Sequence, residues 1–465
     1  MVAILAGAAR KANAGAPCGG PFGAPLPVPL AAHPIAASGR NSSSQLDVPA
    51  AFRNNPARVI RRTDDHPGEQ RPSGRGAAEV SMRIAFVTDT YEDGISGGTV
   101  TAVRFVEALR RRHEVTVLAT GAPAPGKVAL RGFQLPLRAM RENRITFGIP
   151  ARQQLEAAFR EVDLVHVQFP FYLGFAAVKV ATSMGLPLVS AFHVQPENIL
   201  YNINLRTEWV AAWMHRWWIR NVFEPSDAVV VPSPFAGERL RRYGLTKPTF
   251  VISNGAVEPR PRTARRQVER RTEPYVVLCV GRLAPEKRQD LIIDAVARCR
   301  YRDRIRLVVA GAGHLETRLR ARARRQGLAV EFGYVSNERL SELYDEATLF
   351  VHAGEVELEG MAVIDAMAAG LPVLVSDAPD SAARDLASGP EFRFRPGDAT
   401  DLASHIDRLL ESPALLAAGA RRSLERASQH DFQRSARTLE HVYETVLAKA
   451  PTRGERVARS RRGAA

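Results

Sequence analysis

The chain has 465 residues, 45% hydrophobic and 24% charged, and its 64 Lys and Arg outnumber 49 Asp and Glu for a net charge of +15. No run approaches the roughly 18–20 apolar residues of a membrane span, so an integral membrane protein is not expected. Three scattered cysteines, Cys18, Cys279 and Cys299, exclude a disulfide scaffold or a Cys-based zinc site and fit a reducing cytoplasm.

The basic excess favours phosphate-bearing or membrane-surface partners. Much of it falls in Arg260–Arg271 and Arg453–Arg462, and no basic helix or aromatic reading motif accompanies it. Nucleic acid is therefore not an expected partner.

Residues 1–81 are rich in Ala, Gly, Pro and Ser without period and read as a disordered tail. Its first residues imitate a signal core but are short and lack a basic start. Met82 opens a clean strand, which makes it a plausible true start of translation or the end of a dispensable tail. Ile84–Val87 is a buried strand, Thr99–Arg112 an amphipathic helix and Glu114–Ala119 the next strand. Leu164–Gln168, Leu188–Phe192, Ala228–Val231 and Thr249–Ile252 continue the set. Short apolar runs alternating with helices predict a parallel sheet covered on both faces, here a first domain over 82–258.

Residues 259–274, rich in Arg and Pro, read as a linker. A second alternation follows over 275–430, with strands at Tyr275–Val280, Ile305–Ala310, Ala329–Phe332, Leu349–Val351 and Pro372–Val375. Asp401–Leu410 and Phe432–Leu447 read as helices, the latter within a terminal helical segment over 431–449, and 450–465 is a basic tail. The fold class is α/β, two doubly wound Rossmann-like domains with a cleft between them.

All four tryptophans lie in Trp209–Trp218. Trp209, Trp213 and Trp217 share one helical stripe, with Arg206, Arg216 and Arg220 nearby. The favoured reading is a core-facing stripe. An interfacial membrane helix is the alternative, and a lipid-linked acceptor would follow from it.

The most telling stretch is Glu357-Leu-Glu-Gly-Met-Ala-Val-Ile-Asp365, with Gly370 and Pro372 placed to stop its helix. A loop carboxylate, a close-approach glycine and a helix N-terminus suit a ligand rich in hydroxyls and phosphate. Glu355, Glu357 and Glu359 alternate, but only Glu357 has an acid at the right spacing, Asp365. Upstream, Gly281-Arg282 and Lys287 follow a strand end, and this pair of cations suits a diphosphate. Gly311-Ala-Gly313 lies between these motifs and is equally an ordinary tight turn. No Asp-x-Asp or His/Asp cluster points to a metal.

These ordered motifs, spanning Met82 to Lys449, resemble retaining glycosyltransferases of the GT-B fold, the large family-four group. The resemblance implies transfer of a sugar from a UDP- or GDP-sugar to a hydroxyl of a lipid or saccharide acceptor, with the anomeric configuration retained and no metal or other cofactor needed. It implies that Arg282 and Lys287 neutralise the leaving diphosphate, with the amides of Gly360, Met361 and Ala362. Glu357 and His193 would lie beside the donor sugar. Gly97, Gly98 and Gly281 would let backbone approach the donor, and Tyr334 and Val335 would hold the base. Asp365 would hold the ribose; the family normally has Glu there, one methylene longer. Gln195, Glu197 and Asn198 are candidate acceptor contacts. Ser233 and Ser253-Asn254-Gly255 would shape the cleft floor, and the last helix would cross back onto the first domain. The location implied is cytoplasmic, or peripheral at an anionic inner membrane face. Competing readings are a nucleotide-sugar epimerase and a non-catalytic nucleotide-sugar sensor.

Overall fold

The computed structural model describes residues 81–91, 97–134, 146–256 and 273–450. The tail expected over 1–81, the linker over 259–274 and the basic tail over 450–465 lie outside the described residues except for Ser81, Glu273, Pro274 and Ala450. The first lobe comprises β1 (Arg83–Val87), α1 (Gly97–Leu109), β2 (Glu114–Thr120), β3 (Lys127–Phe133), β4 (Phe147–Ile149), α2 (Arg152–Phe159) and β5 (Leu164–Val167). It continues with α3 (Tyr172–Ser183), β6 (Leu188–Ala191), α4 (Pro196–Asn202), α5 (Glu208–Trp218), β7 (Ala228–Val231), α6 (Pro234–Arg242) and β8 (Thr249–Val251). The strands form one sheet in the order β4-β3-β2-β1-β5-β6-β7-β8. All described pairings are parallel except β3 with β4.

The central strands are apolar on both faces because helices cover both. One face packs Phe105, Val106 and Leu109 of α1 against Ile84 and Phe86. The other packs Leu155 and Phe159 of α2, Leu173 of α3 and Trp218 of α5 against Val87 and Val165. β3 and β4 escaped the periodicity reading because they lie at one side of the sheet, β4 at its very edge, and their exposed and glycine positions blunt the apolar signal.

The second lobe comprises β9 (Tyr275–Val280), α7 (Gln289–Arg298), β10 (Ile305–Ala310), α8 (Glu316–Arg325), β11 (Val330–Gly333), α9 (Asn337–Glu346) and β12 (Leu349–His352). Then come α10 (Met361–Ala368), β13 (Val373–Ser376), β14 (Arg393–Phe394), α11 (Ala399–Glu411) and α12 (Pro413–Ala427). Its parallel sheet runs β11-β10-β9-β12-β13-β14. Cys279 and Cys299 are separate free thiols buried in this lobe.

The last helix, α13 (Phe432–Lys449), leaves the second lobe and lays Leu439, Val442, Tyr443 and Val446 into the α1 face of the first. Tyr443 is fully buried, and its hydroxyl lies 3.0 Å from His166 Nδ1. His166 Nε2 lies 3.2 Å from Gln168 Oε1, so a proton on Nε2 satisfies both contacts. Burial holds His166 down at about 4, neutral at physiological pH.

Of the tryptophan stripe, only Trp217 faces the core. Trp209 is 72% exposed and Trp213 40% exposed, whereas Trp218 is the residue in the core. Trp209 and Trp213 lie on the outer side of α5 because Ala211, Met214, His215 and Trp218 already fill its inner side.

Replacing Tyr443 with Ala removes a buried aromatic and leaves His166 Nδ1 without its partner. The expected loss is about 3–5 kcal/mol, read as a lower denaturant midpoint at unchanged slope. Tyr443→Phe should cost only about 1–2 kcal/mol.

Candidate functional site

In an open parallel sheet, ligands sit outside the strand C-termini where the strand order reverses. That reversal falls between β1 and β5 in the first lobe and between β9 and β12 in the second. The two crevices face one cavity of about 380 Å³. The first lobe contributes Asp89, Gly97, Gly98, Phe147, Phe169, Phe171, His193, Asn198 and Asn254. The second contributes Gly281, Arg282, Lys287, His352, Glu357, Glu359, Gly360, Met361 and Ala362.

Two helices begin at this cavity. α1 starts at Gly97 and α10 at Met361, and Met361 Sδ lies 3.6 Å from Thr101 Oγ1 across the lobes. A side chain at Gly98 would collide with Phe169 at 2.8 Å, so this wall admits only a bare backbone. Gly360 enters α10 with φ 101°, a conformation that favours glycine. No side chain caps α10, so its first amides are available to an anion.

The cations of the cavity, Arg282 and Lys287, also come from the second lobe. Lys287 Nζ is ion-paired with Glu357 Oε1. Arg282 Nη2 donates to Glu286 Oε1 at 2.6 Å, while its Nε has no partner among the described residues. His352 Nε2 lies 3.2 Å from the same Glu357 oxygen, at an angle poor for a hydrogen bond. Burial alone would raise the Glu357 carboxyl, but Lys287 and His352 outweigh it and hold it at about 2. His193 stands in the first-lobe wall, and burial with the nearby His166 brings it down to about 3. It is therefore neutral, and its Nδ1 has no partner among the described residues.

The three alternating glutamates have three different occupations. Glu355 pairs with Arg288 and accepts from Tyr201 Oη at 3.2 Å. Glu357 takes Lys287. Glu359 accepts from Ser253 Oγ at 2.5 Å and from the Asn254 amide at 3.2 and 3.1 Å. Ser233 Oγ donates to the Leu358 carbonyl at 2.5 Å. The acidic loop thus lies in the seam between the lobes.

Strand-end glycines shape the second-lobe side. A Cβ at Gly311 would overlap the Gly281 carbonyl oxygen at 2.0 Å, and one at Gly313 would meet the Leu283 carbonyl oxygen at 2.4 Å. Gly281 and Gly333 instead face open space. Among the described residues, no group of three His, Cys, Asp or Glu is placed to hold a metal.

Residues 95–257 match the Glycosyltransferase Family 4 model, and residues 261–430 match Glycosyl transferases group 1. The chain is a group 1 glycosyltransferase of the GT-B fold. This glycosyltransferase is 29% identical over 311 residues to a GDP-mannose-dependent alpha-mannosyltransferase of Mycobacterium tuberculosis, covering 64% of the chain and 79% of that relative. It is 24% identical to the alpha-monoglucosyldiacylglycerol synthase of Streptococcus pneumoniae, over 64% of the chain and 72% of the relative. Anabaena HepE, crystallised with UDP and glucose, superposes with a TM-score of 0.60 at 20% identity, covering 78% of this chain and all of HepE.

Not every anticipated residue of the glycosyltransferase lies at the cavity. Asp365 is half-buried one turn along α10, and Tyr334 (55% exposed) and Val335 follow β11 outside the cavity lining. Glu197 is not available to an acceptor. Arg239 Nη2 donates to it at 2.5 Å, and His215 Nε2 lies 3.2 Å away. These partners overcome burial and hold it at about 2. Gln195 is buried at the start of α4, its Nε2 3.5 Å from the Asp380 carbonyl, so it serves the lobe seam. Asn198 lines the cavity, with Nδ2 3.4 Å from the Val356 carbonyl.

Asp89, Glu286 and His352 were not anticipated from the sequence, and Glu359 was set aside there in favour of Glu357. His352 ends a buried strand, and its polarity there was the available signal. Asp89 carried none, because its partner Gly148 is remote in sequence, and Glu286 is an ordinary turn acid until Arg282 and Asn202 are seen to converge on it.

Glu357 has a depressed folded pKa, so its contribution to stability is full above about pH 4.5 and is lost as pH falls toward 2. Glu357→Gln should cost about 1–3 kcal/mol at pH 7. Denaturant titrations should show the gap between the two proteins narrowing as pH falls from 4.5 toward 2.

Proposed function

We propose that this enzyme transfers a hexose from a nucleotide-diphosphate sugar to an acceptor hydroxyl with retention of anomeric configuration. The observation that carries the reading is the meeting of Arg282, Lys287 and the uncapped start of α10 at one cavity wall. The donor diphosphate lies against these groups. Lys287 is then shared between Glu357 and phosphate, and Gly360, Met361 and Ala362 offer amides to the β-phosphate. Fixed positive potential in a water-poor cleft stabilises the charge that develops on the departing diphosphate.

Glu357 stays ionised beside the sugar and accepts its hydroxyls. Neutral His193 offers Nδ1 to another sugar hydroxyl from the opposite lobe. The acceptor enters from the first-lobe side, past Asn198. The leaving phosphate oxygen takes the acceptor proton on the face it departs from, which retains configuration. The nucleoside extends over the open backbone of Gly281 and Gly333 toward Tyr334 and Val335, with Asp365 in reach of the ribose.

The acceptor belongs to a glycolipid or polysaccharide pathway, and a lipid acceptor is favoured by one surface. Tyr172, Trp209 and Trp213 are exposed, and Trp217 packs on Phe175 with ring centroids 5.2 Å apart. Lys179 lies over the Phe175 ring at 4.6 Å, and Arg206, Arg216 and Arg220 are exposed around them. Aromatic rings with a cationic fringe suit an anionic lipid surface. Phe171, in the cavity wall, immediately precedes Tyr172 of this surface. Peripheral attachment at a cytoplasmic membrane face follows.

Lys287→Ala should lower kcat by about 10²–10³-fold in protein that still melts cooperatively, at a lower temperature because Glu357 loses its counter-charge, whereas a purely structural Lys would lower the melting temperature with no such loss of kcat. The wild-type product should carry the donor's anomeric configuration by proton NMR. An inverted product would overturn the retaining step.

Trp209→Ala with Trp213→Ala should weaken co-sedimentation with phosphatidylglycerol vesicles severalfold while leaving UDP or GDP binding unchanged. Wild-type binding should fall as salt rises.

A further inference from the structure

Asp89 follows β1 at the first-lobe switch point and lines the cavity from the side opposite Lys287, Glu357 and α10. It is 4% exposed. Its Oδ1 accepts the Gly148 amide at 2.8 Å. Its carbonyl is held separately, by Thr120 Oγ1 at 2.6 Å and the Thr120 amide at 3.2 Å. These contacts fix the backbone and one carboxyl oxygen, which sets the direction of the other.

The remaining acids of the cavity are compensated differently. Glu357 has Lys287, and Glu359 has a hydroxyl and a backbone amide. Among the described residues, no cation pairs with Asp89. Burial pushes its carboxyl up to about 7, against the smaller opposite pull of the Gly148 amide. A carboxylate so placed weakens the fold near neutral pH, since desolvating its charge costs more than one amide returns. It is fitted instead to a hydrogen-bond donor brought by a ligand. Phe147, Phe169 and Phe171 pack on one another in the wall of the same cavity, an apolar surface suited to the ring or chain that carries such a donor.

We propose that Asp89 is the acceptor-binding carboxylate, its second oxygen taking a hydrogen bond from a hydroxyl of the acceptor. This rests on the sugar-transfer reading above. Asp89 orients the hydroxyl and does not keep its proton. The acceptor oxygen bonds to the anomeric carbon as the bond from that carbon to the diphosphate oxygen breaks, and the proton passes to that phosphate oxygen. Acceptor choice then begins at Asp89, because an analogue lacking the hydroxyl leaves a buried charge without a partner.

The test uses the full chain with GDP-mannose and UDP-glucose as donors. Octyl glucoside and diacylglycerol vesicles serve as acceptor probes. Asp89→Asn preserves shape and can still accept from Gly148. The expected result is a tenfold or greater rise in acceptor KM, a donor Kd within twofold of wild type, and a melting temperature at pH 8 equal to or above wild type. Unchanged acceptor KM overturns the proposal, as does an equal weakening of donor and acceptor or a lowered melting temperature. A wild-type protein that transfers from neither donor to either acceptor overturns the sugar-transfer reading itself, and the role of Asp89 with it.

Discussion

The structure depends on how a five-residue acidic segment is compensated. Residues Glu355 to Glu359 carry three carboxylates into the seam between two lobes. Each meets a different partner: an arginine with a tyrosine, a lysine, and a serine with a backbone amide. Buried charge is tolerated only when paired. Each pairing therefore fixes a piece of geometry. The first ties the loop to the turn before α7 and to α4. The second places the lysine at the cavity wall. The third fastens the loop to the first lobe's exit strand. The cavity has its shape because these three demands are met together.

The cations are also poised by that arrangement. Arg282 leans on Glu286, which is fully buried and receives Asn202 Nδ2 from the opposite lobe at 3.2 Å. This cavity-lining side chain is thus positioned partly by the far lobe. Parting the lobes would remove the support behind Arg282.

Much of the fold was legible in the sequence because doubly wound sheets write strongly. Runs such as Tyr275–Val280 and Ile305–Ala310 are apolar on both faces, and the helices between them keep one wet side. The family pattern was legible for a different reason, since glycine, cation and acid recur at fixed offsets around strand ends. What failed was anything decided by packing partners far along the chain. Trp209 and Trp213 have the spacing of a buried stripe, yet Trp218 and Met214 occupy the core and leave them outside. Glu197 looked like a cleft residue beside His193, but α4 turns it toward Arg239, forty-two positions away. Asp89 had no local signature at all. Its neighbour Gly148 arrives from an edge strand that periodicity did not reveal.

The return of α13 to the first lobe has a mechanical result. The polypeptide passes between lobes near Ala256 and again near His430. The two crossings touch: the Ala256 amide donates to the His430 carbonyl at 2.9 Å, and a Cβ on Gly255 would strike Phe432 at 2.6 Å. Two adjacent tethers act as a door hinge and not as a string. They permit swinging about one axis and resist sliding or twisting. Each time the halves come together, the same atoms should therefore find one another again.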